Sequence, residues 1–98
     1  MAALFSPASP QIRHLPDQQR FELEFEGETG ELDYRLDGAA MAILHTAVSP
    51  AIQGRGMAAA LTGAALDHAR AAGWKVRPRC SYAHHYFQRH PENADLLG

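Results

Sequence analysis

The sequence predicts an α+β domain, three-layer-like about its sheet, in which antiparallel strands lead into a β-α-β crossover followed by a helix. Three observations carry this prediction. "RFELEF" and "ELDYRL" alternate apolar and charged residues with a period of two, the pattern of half-buried strands. "AAMAILHTAV" is apolar on both faces, as expected of a strand covered on two sides. "MAAALTGAALDHARAA" sets Leu61, Ala65 and Ala69 on one helical stripe and leads into the short apolar run "WKVRPRC". Strand, helix and strand in that order make a parallel crossover, almost always right-handed.

Along the chain, Met1 to Gln19 carries Pro7, Pro10 and Pro16 without a period and reads as a flexible tail, in which Gln11 to His14 could add a short edge strand. Residues 20–98 form the domain. Phe21, Leu23 and Phe25 turn inward against Glu22, Glu24 and Glu26. "ETG" supplies turn residues, and Leu32, Tyr34 and Leu36 resume the alternation. Asp37-Gly38 signals a hairpin into the third strand, which Pro50 closes. The helix runs from Met57 until Gly73 supplies a left-handed stop. Pro78 removes one ladder donor from the next strand, and Ser81 to His90 forms a last helix halted by Pro91.

Composition narrows the function. A chain of 98 residues supports one modest core. Its formal charge of −2 offers no basic field for nucleic acid. The single cysteine, Cys80, excludes an internal disulfide and suits a reducing compartment. Without an apolar run of about 20 residues or a signal-peptide pattern, the expected address is the cytoplasm, with no membrane partner. The protein is expected to be a monomer. No His/Cys/Asp spacing suggests a metal, and the adjacent His84 and His85 point to different sides of a helix.

The stretch "VSPAIQGRGMAAAL" asks what a helix start needs with two glycines and an arginine. The first amides of a helix lack internal partners, and the helix dipole adds positive potential, so an anion is the natural occupant. Gly54 and Gly56 let backbone approach it, and Arg55 could add a charge-assisted bond. The spacing fits neither the P-loop nor the dinucleotide fingerprint, since Ala59 takes the last glycine position.

This loop resembles the pyrophosphate loop of the GNAT acetyltransferase superfamily, Gln/Arg-x-x-Gly-x-Gly/Ala, with Gln53, Gly56 and Ala58 in its positions and Val48 and Leu61 beside it. With "HT-x-V" before the loop and "P-x-C" after the helix, the frame from Phe21 to Leu97 is similar to the small GNAT-like N-acetyltransferase family. The resemblance implies a minimal GNAT fold whose parallel strand pair splays to admit the pantetheine arm of acetyl-CoA. The amides of Gln53, Gly54, Arg55, Gly56, Met57, Ala58 and Ala59 would hold the pyrophosphate. Backbone donors from Thr46 to Val48 would hold the thioester arm and polarise its carbonyl, an oxyanion-hole role. Members of that family commonly have a glutamate where this chain has Ala47, so catalysis through a carboxylate at that position is excluded.

Acetyl transfer needs a deprotonated amine and a protonated leaving thiol. His45, at the end of the buried strand, could be the base, or a histidine satisfied beside the sheet. Cys80 could carry the acetyl group or contact the CoA sulfur, among Arg77, Arg79 and a helix start; lone buried cysteines are more often small hydrophobes. Tyr86 could protonate the thiolate, as a tyrosine on the last helix does in the superfamily, or belong with Tyr82 and Phe87 to a core stripe. The resulting expectation is an N-acetyltransferase using acetyl-CoA without metal on an unidentified amine. The short chain leaves the acceptor site open enough for a protein or peptide. The alternatives are a non-catalytic CoA or acyl-CoA-binding regulatory module, and a protein acting through contacts alone.

Overall fold

The computed structural model describes residues 9–98 and contains one five-stranded mixed sheet whose strands lie in sequence order. β1 (Gln11–Leu15), β2 (Arg20–Phe25), β3 (Glu28–Asp37) and β4 (Ala40–Val48) pair antiparallel. After α1 (Met57–Ala72), β5 (Lys75–Pro78) joins β4 in parallel, and α2 (Ser81–Arg89) and a 3-10 segment (Pro91–Leu96) follow. No helix among the described residues is long and apolar enough to cross a membrane.

Alternation builds the core. Phe21, Leu23, Phe25, Leu32 and Tyr34 are buried on one face of the sheet, where they meet Leu61, Ala65, Leu66 and Ala69 of α1 and Ala83 and Phe87 of α2. Small residues on α1 bring it close to the strands. The approach is close at Gly30, where a Cβ would lie 3.2 Å from Leu61 Cδ1 and 3.3 Å from the Ala47 carbonyl oxygen. Gly73 ends α1 in the left-handed conformation (φ 78°), and the next amide, that of Trp74, donates to Ala69 O at 2.8 Å.

Four expectations change. Gln11–Leu15 is an edge strand, longer by one residue than the Gln11 to His14 possibility, so the sheet begins ahead of residue 20; the rest of the expected tail, residues 1–8, lies outside the described residues. The first hairpin turns on Glu26 and Gly27 (φ 52° and 79°) rather than on "ETG", which is already strand. Two successive positive φ angles suit a two-residue hairpin, and Gly27 takes the second at no steric cost. The 74–80 run is strand only over Lys75–Pro78. Finally, β4 is covered on one side: Leu44 is 44% exposed and His45 and Ala47 are exposed, so the architecture has two layers, not three. The alanines made the strand look apolar without requiring cover.

On the covered face, His14 ties the edge strand to α1. Its ring stacks on Phe21 at 4.2 Å, meets the His68 ring edge-on at 4.3 Å, and its Nε2 lies 2.6 Å from the Tyr34 hydroxyl. Burial, with a smaller contribution from His68, holds His14 below the ordinary histidine value of 6.5. The unfolded chain therefore binds this proton more readily than the folded one. Stability is full above pH 6.5 and falls as the pH drops from there toward the lowered folded value. Thermal melts from pH 7.5 down to about 5 should show this loss. His14→Phe, which keeps the stack, should lose less over the same interval; an unchanged slope would assign the effect elsewhere.

Candidate active site

The site opens where β5 leaves β4. Their ladder spans only Ala40↔Lys75 to Ile43↔Pro78, whereas β4 continues to Val48. Pro78 has no donor to extend it, and the amides of Arg79 and Cys80 both converge on the Ile43 carbonyl, at 2.9 and 3.1 Å, as the chain turns into α2. Beyond Ile43, β4 has a strand neighbour among the described residues on its β3 side only. In an antiparallel ladder successive residues bond alternately toward and away from the partner. The Ser49 amide bonds Thr29 O of the first hairpin at 2.9 Å, so the amides of Thr46 and Val48 face the side that β5 vacates. These are the donors expected there from the sequence.

A bulge sets the side chains. Tyr34 pairs with Ile43 but Asp33 pairs with His45, leaving Leu44 without a register partner. Directly paired residues share a face, so Thr46, opposite the buried Leu32, turns to the helix side, and His45, opposite Asp33, turns to the open side.

On the helix side, Thr46 Oγ1 lies 3.7 Å from Cys80 Sγ. Cys80 is half-buried and caps α2, its sulfur accepting from the Ala83 amide at 3.4 Å. The helix start thus directs a backbone donor at the Cys80 sulfur. On the open side, His45 Nε2 lies 3.8 Å from Glu31 Oε2. Arg20 fixes this neighbourhood, bonding Asp33 at 2.6 Å and lying 3.7 Å from both Glu31 and Glu22. Glu31, Asp33 and His45 bring ligand atoms within 4.8 Å of one another, but Arg20 already shares both carboxylates, which makes the group an ion-pair network.

At the start of α1, Gly54 and Gly56 adopt φ of 77° and 84°, and a Cβ on either would meet nothing within 4 Å. The first helical bond runs from the Ala60 amide to Gly56 O, and no side chain caps the amides of Met57, Ala58 and Ala59. Glycine geometry therefore surrounds free donors with open space, which fits a diphosphate. The loop's side chains do other work. Gln53 Nε2 donates to Val48 O at 2.9 Å, bracing the loop on β4. Arg55 is engaged by Glu26 at 2.8 and 3.4 Å and lies over the Phe25 ring, so it anchors the loop to the first hairpin instead of facing the anion site.

Tyr86 stands apart from the other two catalytic candidates. Its ring stacks on His90 at 4.2 Å, and its hydroxyl would be 3.4 Å from a Cβ at Gly63 of α1. Burial, aided by Tyr82, Glu92 and Asp67, pushes its phenol above the ordinary value. The structure thus joins Cys80 with Thr46, places His45 with Glu31 on the other face, and gives Tyr86 to the α1–α2 seam. Glu31 is the residue that reading the sequence missed. It pairs directly with Ala47, so the neighbouring strand supplies a carboxylate at the place where the sequence appeared to have lost one.

The model of the GCN5-related N-acetyl-transferase family matches residues 20–96 of this chain. The NMR solution structure of a GCN5-like protein from Staphylococcus aureus superposes with a TM-score of 0.71 at 26% sequence identity, covering 96% of this chain and 91% of that one. No curated protein matches the sequence.

Proposed function

Because the chain belongs to the GCN5-related N-acetyltransferase family, we propose that it moves an acetyl group from acetyl-CoA to an amine through a site that takes the thioester on one face of the sheet and the acceptor on the other. The observation that carries this reading is the run of uncapped amides at Met57, Ala58 and Ala59, which shares an end of the sheet with the outward amides of Thr46 and Val48. The first set suits the diphosphate. The second suits the thioester arm and the oxyanion formed when its carbonyl is attacked.

Cys80 lies on the helix face, so its sulfur would attack the carbonyl carbon there, while the carbon–sulfur bond to CoA breaks and the Cys80 proton passes to the departing thiolate. The amine would come from the open face. A concavity of about 450 Å³ lies there, lined by Glu22, Glu24 and Glu31 and by Arg13, which pairs with Glu22; the carboxylates outnumber the guanidinium of its lining, which suits a group that is cationic in solution. The ammonium first gives one proton to water; the free amine's nitrogen then forms the new bond to carbon, the bond to Cys80 breaks, and the second proton goes to His45. Glu31 stabilises the resulting imidazolium. His45 then releases its proton to water, and the Cys80 thiolate takes one up from water, closing the cycle. An open concavity of this kind could receive a side chain or chain end of a protein or peptide.

Incubation with acetyl-CoA and a panel of amines, scored for free thiol, tests the proposal. Thiol release that rises with one class of amine is the expected result. Saturable binding without release above buffer would make the protein a CoA-holding module, and no binding would end the cofactor assignment.

A further inference from the structure

Resting on the amine-acceptor reading above, we propose that the open face of the sheet selects a peptide acceptor with an acidic side chain about four residues from its reacting amine, its carboxylate received by Arg35, Arg77 and Arg79. Alternation builds this face: Glu31, Asp33 and Arg35 of β3 lie on the side away from the buried Leu32 and Tyr34. Arg35 pairs with Ala42, and Ala42 with Arg77, so the same face continues across β4 to β5. There a concavity of about 470 Å³ is lined by the three arginines together with Ala42 and the bulged Leu44.

The arginines of this concavity are uncommitted. Arg13, Arg20, Arg55 and Arg70 each hold a carboxylate at 3.2 Å or less. Arg35 and Arg79, by contrast, are exposed and make no side-chain hydrogen bond or ion pair among the described residues. Arg77 reaches Asp37 at 3.4 Å and the Gly98 carbonyl at 3.2 Å, so a single lining carboxylate faces three guanidiniums. Like charges gathered in a concavity repel one another, and an incoming carboxylate relieves the repulsion through the geometry that guanidinium favours. The face thus has two poles. Glu22, Glu24 and Glu31 form the acidic one; the Arg20–Asp33 pair and Leu44 lie between; the arginines form the basic one. Glu31 and Arg35 stand four residues apart on β3, about 13 Å in an extended strand. A single amino acid does not bridge that span, whereas an extended peptide covers it in about four residues at ~3.3–3.6 Å each. The acidic pole repels a phosphate backbone, which favours a peptide over a nucleic acid as the occupant.

Thiol release from acetyl-CoA with a set of short, end-amidated peptides tests this assignment. Each has one free amine at its first residue, either the α-amine or the side chain of an otherwise blocked lysine, and Glu, Gln or Arg walked from the third position to the sixth. At the fourth or fifth position the Glu peptide should exceed its Gln counterpart in kcat/KM by about five-fold or more, the upper end for an ion pair that stays partly in water, and the ratio should shrink as salt is added. Arg35→Glu should invert the order, so that the Arg peptide becomes the better acceptor. Loss of fold would lower all peptides together, so inversion reads the contact itself. Arg79→Gln should reduce the Glu-over-Gln ratio, in which any effect on the neighbouring Cys80 cancels. Equal kcat/KM for the three kinds of peptide, a Glu preference that both variants retain, or transfer to small amines but to no peptide overturns the assignment and leaves the acetyl-CoA reading intact. No thiol release with any acceptor overturns both.

Discussion

Gly56→Val is expected to abolish acetyl-CoA binding at concentrations that saturate the unaltered protein, with only a modest loss of fold stability. Gly56 has φ 84°, a conformation that a β-branched residue adopts only under strain of roughly 1–2 kcal/mol. The space around it is open, since a Cβ would meet no atom within 4 Å, so the fold imposes no further steric cost. That same space is where the diphosphate would approach the amides of Met57, Ala58 and Ala59. An isopropyl group there displaces the ligand from several donors at once, and each charge-assisted bond lost costs roughly 1.5–3 kcal/mol, about ten-fold or more in affinity. Gly56→Ala separates the two effects, sharing most of the backbone strain with a smaller obstruction. Thermal melts together with acetyl-CoA titrations of both variants decide the matter. If Gly56→Val binds acetyl-CoA as the unaltered protein does, the helix start is not the diphosphate site.

Much of this architecture could be read directly because its signals are local. Phe21, Leu23 and Phe25 are buried because strict alternation admits one inward face, and α1 starts after Gly56 and ends at Gly73 because both glycines hold left-handed conformations there. The number of layers was hidden. Ala40, Ala42 and Ala47 tolerate burial and exposure almost equally, so the composition of β4 could not show that its second face lies open.

The site was harder to read because it depends on register. Counting from the Asp37↔Ala40 end of the second hairpin without interruption would set Glu31 opposite Thr46 and turn Thr46 away from the helices. The bulge at Leu44 shifts the count by one, sets Glu31 opposite Ala47, and brings Thr46 to Cys80. An unpaired residue in one strand leaves no mark in composition. Arg55 shows the complementary difficulty: its place in the loop suggested an anion contact, but Glu26, distant in sequence, claims it from the first hairpin.

Cys80→Ser carries the other large effect: turnover should fall by at least about 100-fold while acetyl-CoA affinity stays within about two-fold. Serine is the informative replacement because Cys80 has two functions in this fold. Its sulfur caps α2 through the Ala83 amide, and removing a cap costs roughly 0.5–2 kcal/mol, so Cys80→Ala would mix a stability loss with a chemical one. Serine is a preferred cap, and Cys80→Ser should melt at or above the temperature of the unaltered protein. Its hydroxyl is nevertheless a far weaker nucleophile than a thiol and has no base beside it, since His45 lies on the opposite face of the sheet. A second measurement follows from the same chemistry. The unaltered protein incubated with acetyl-CoA and no amine should carry an acetyl group on the peptide containing Cys80, released on adding the acceptor. Cys80→Ser should carry none. If its turnover is undiminished and no adduct forms, Cys80 is a helix cap beside the cofactor, and the amine must attack the CoA thioester directly.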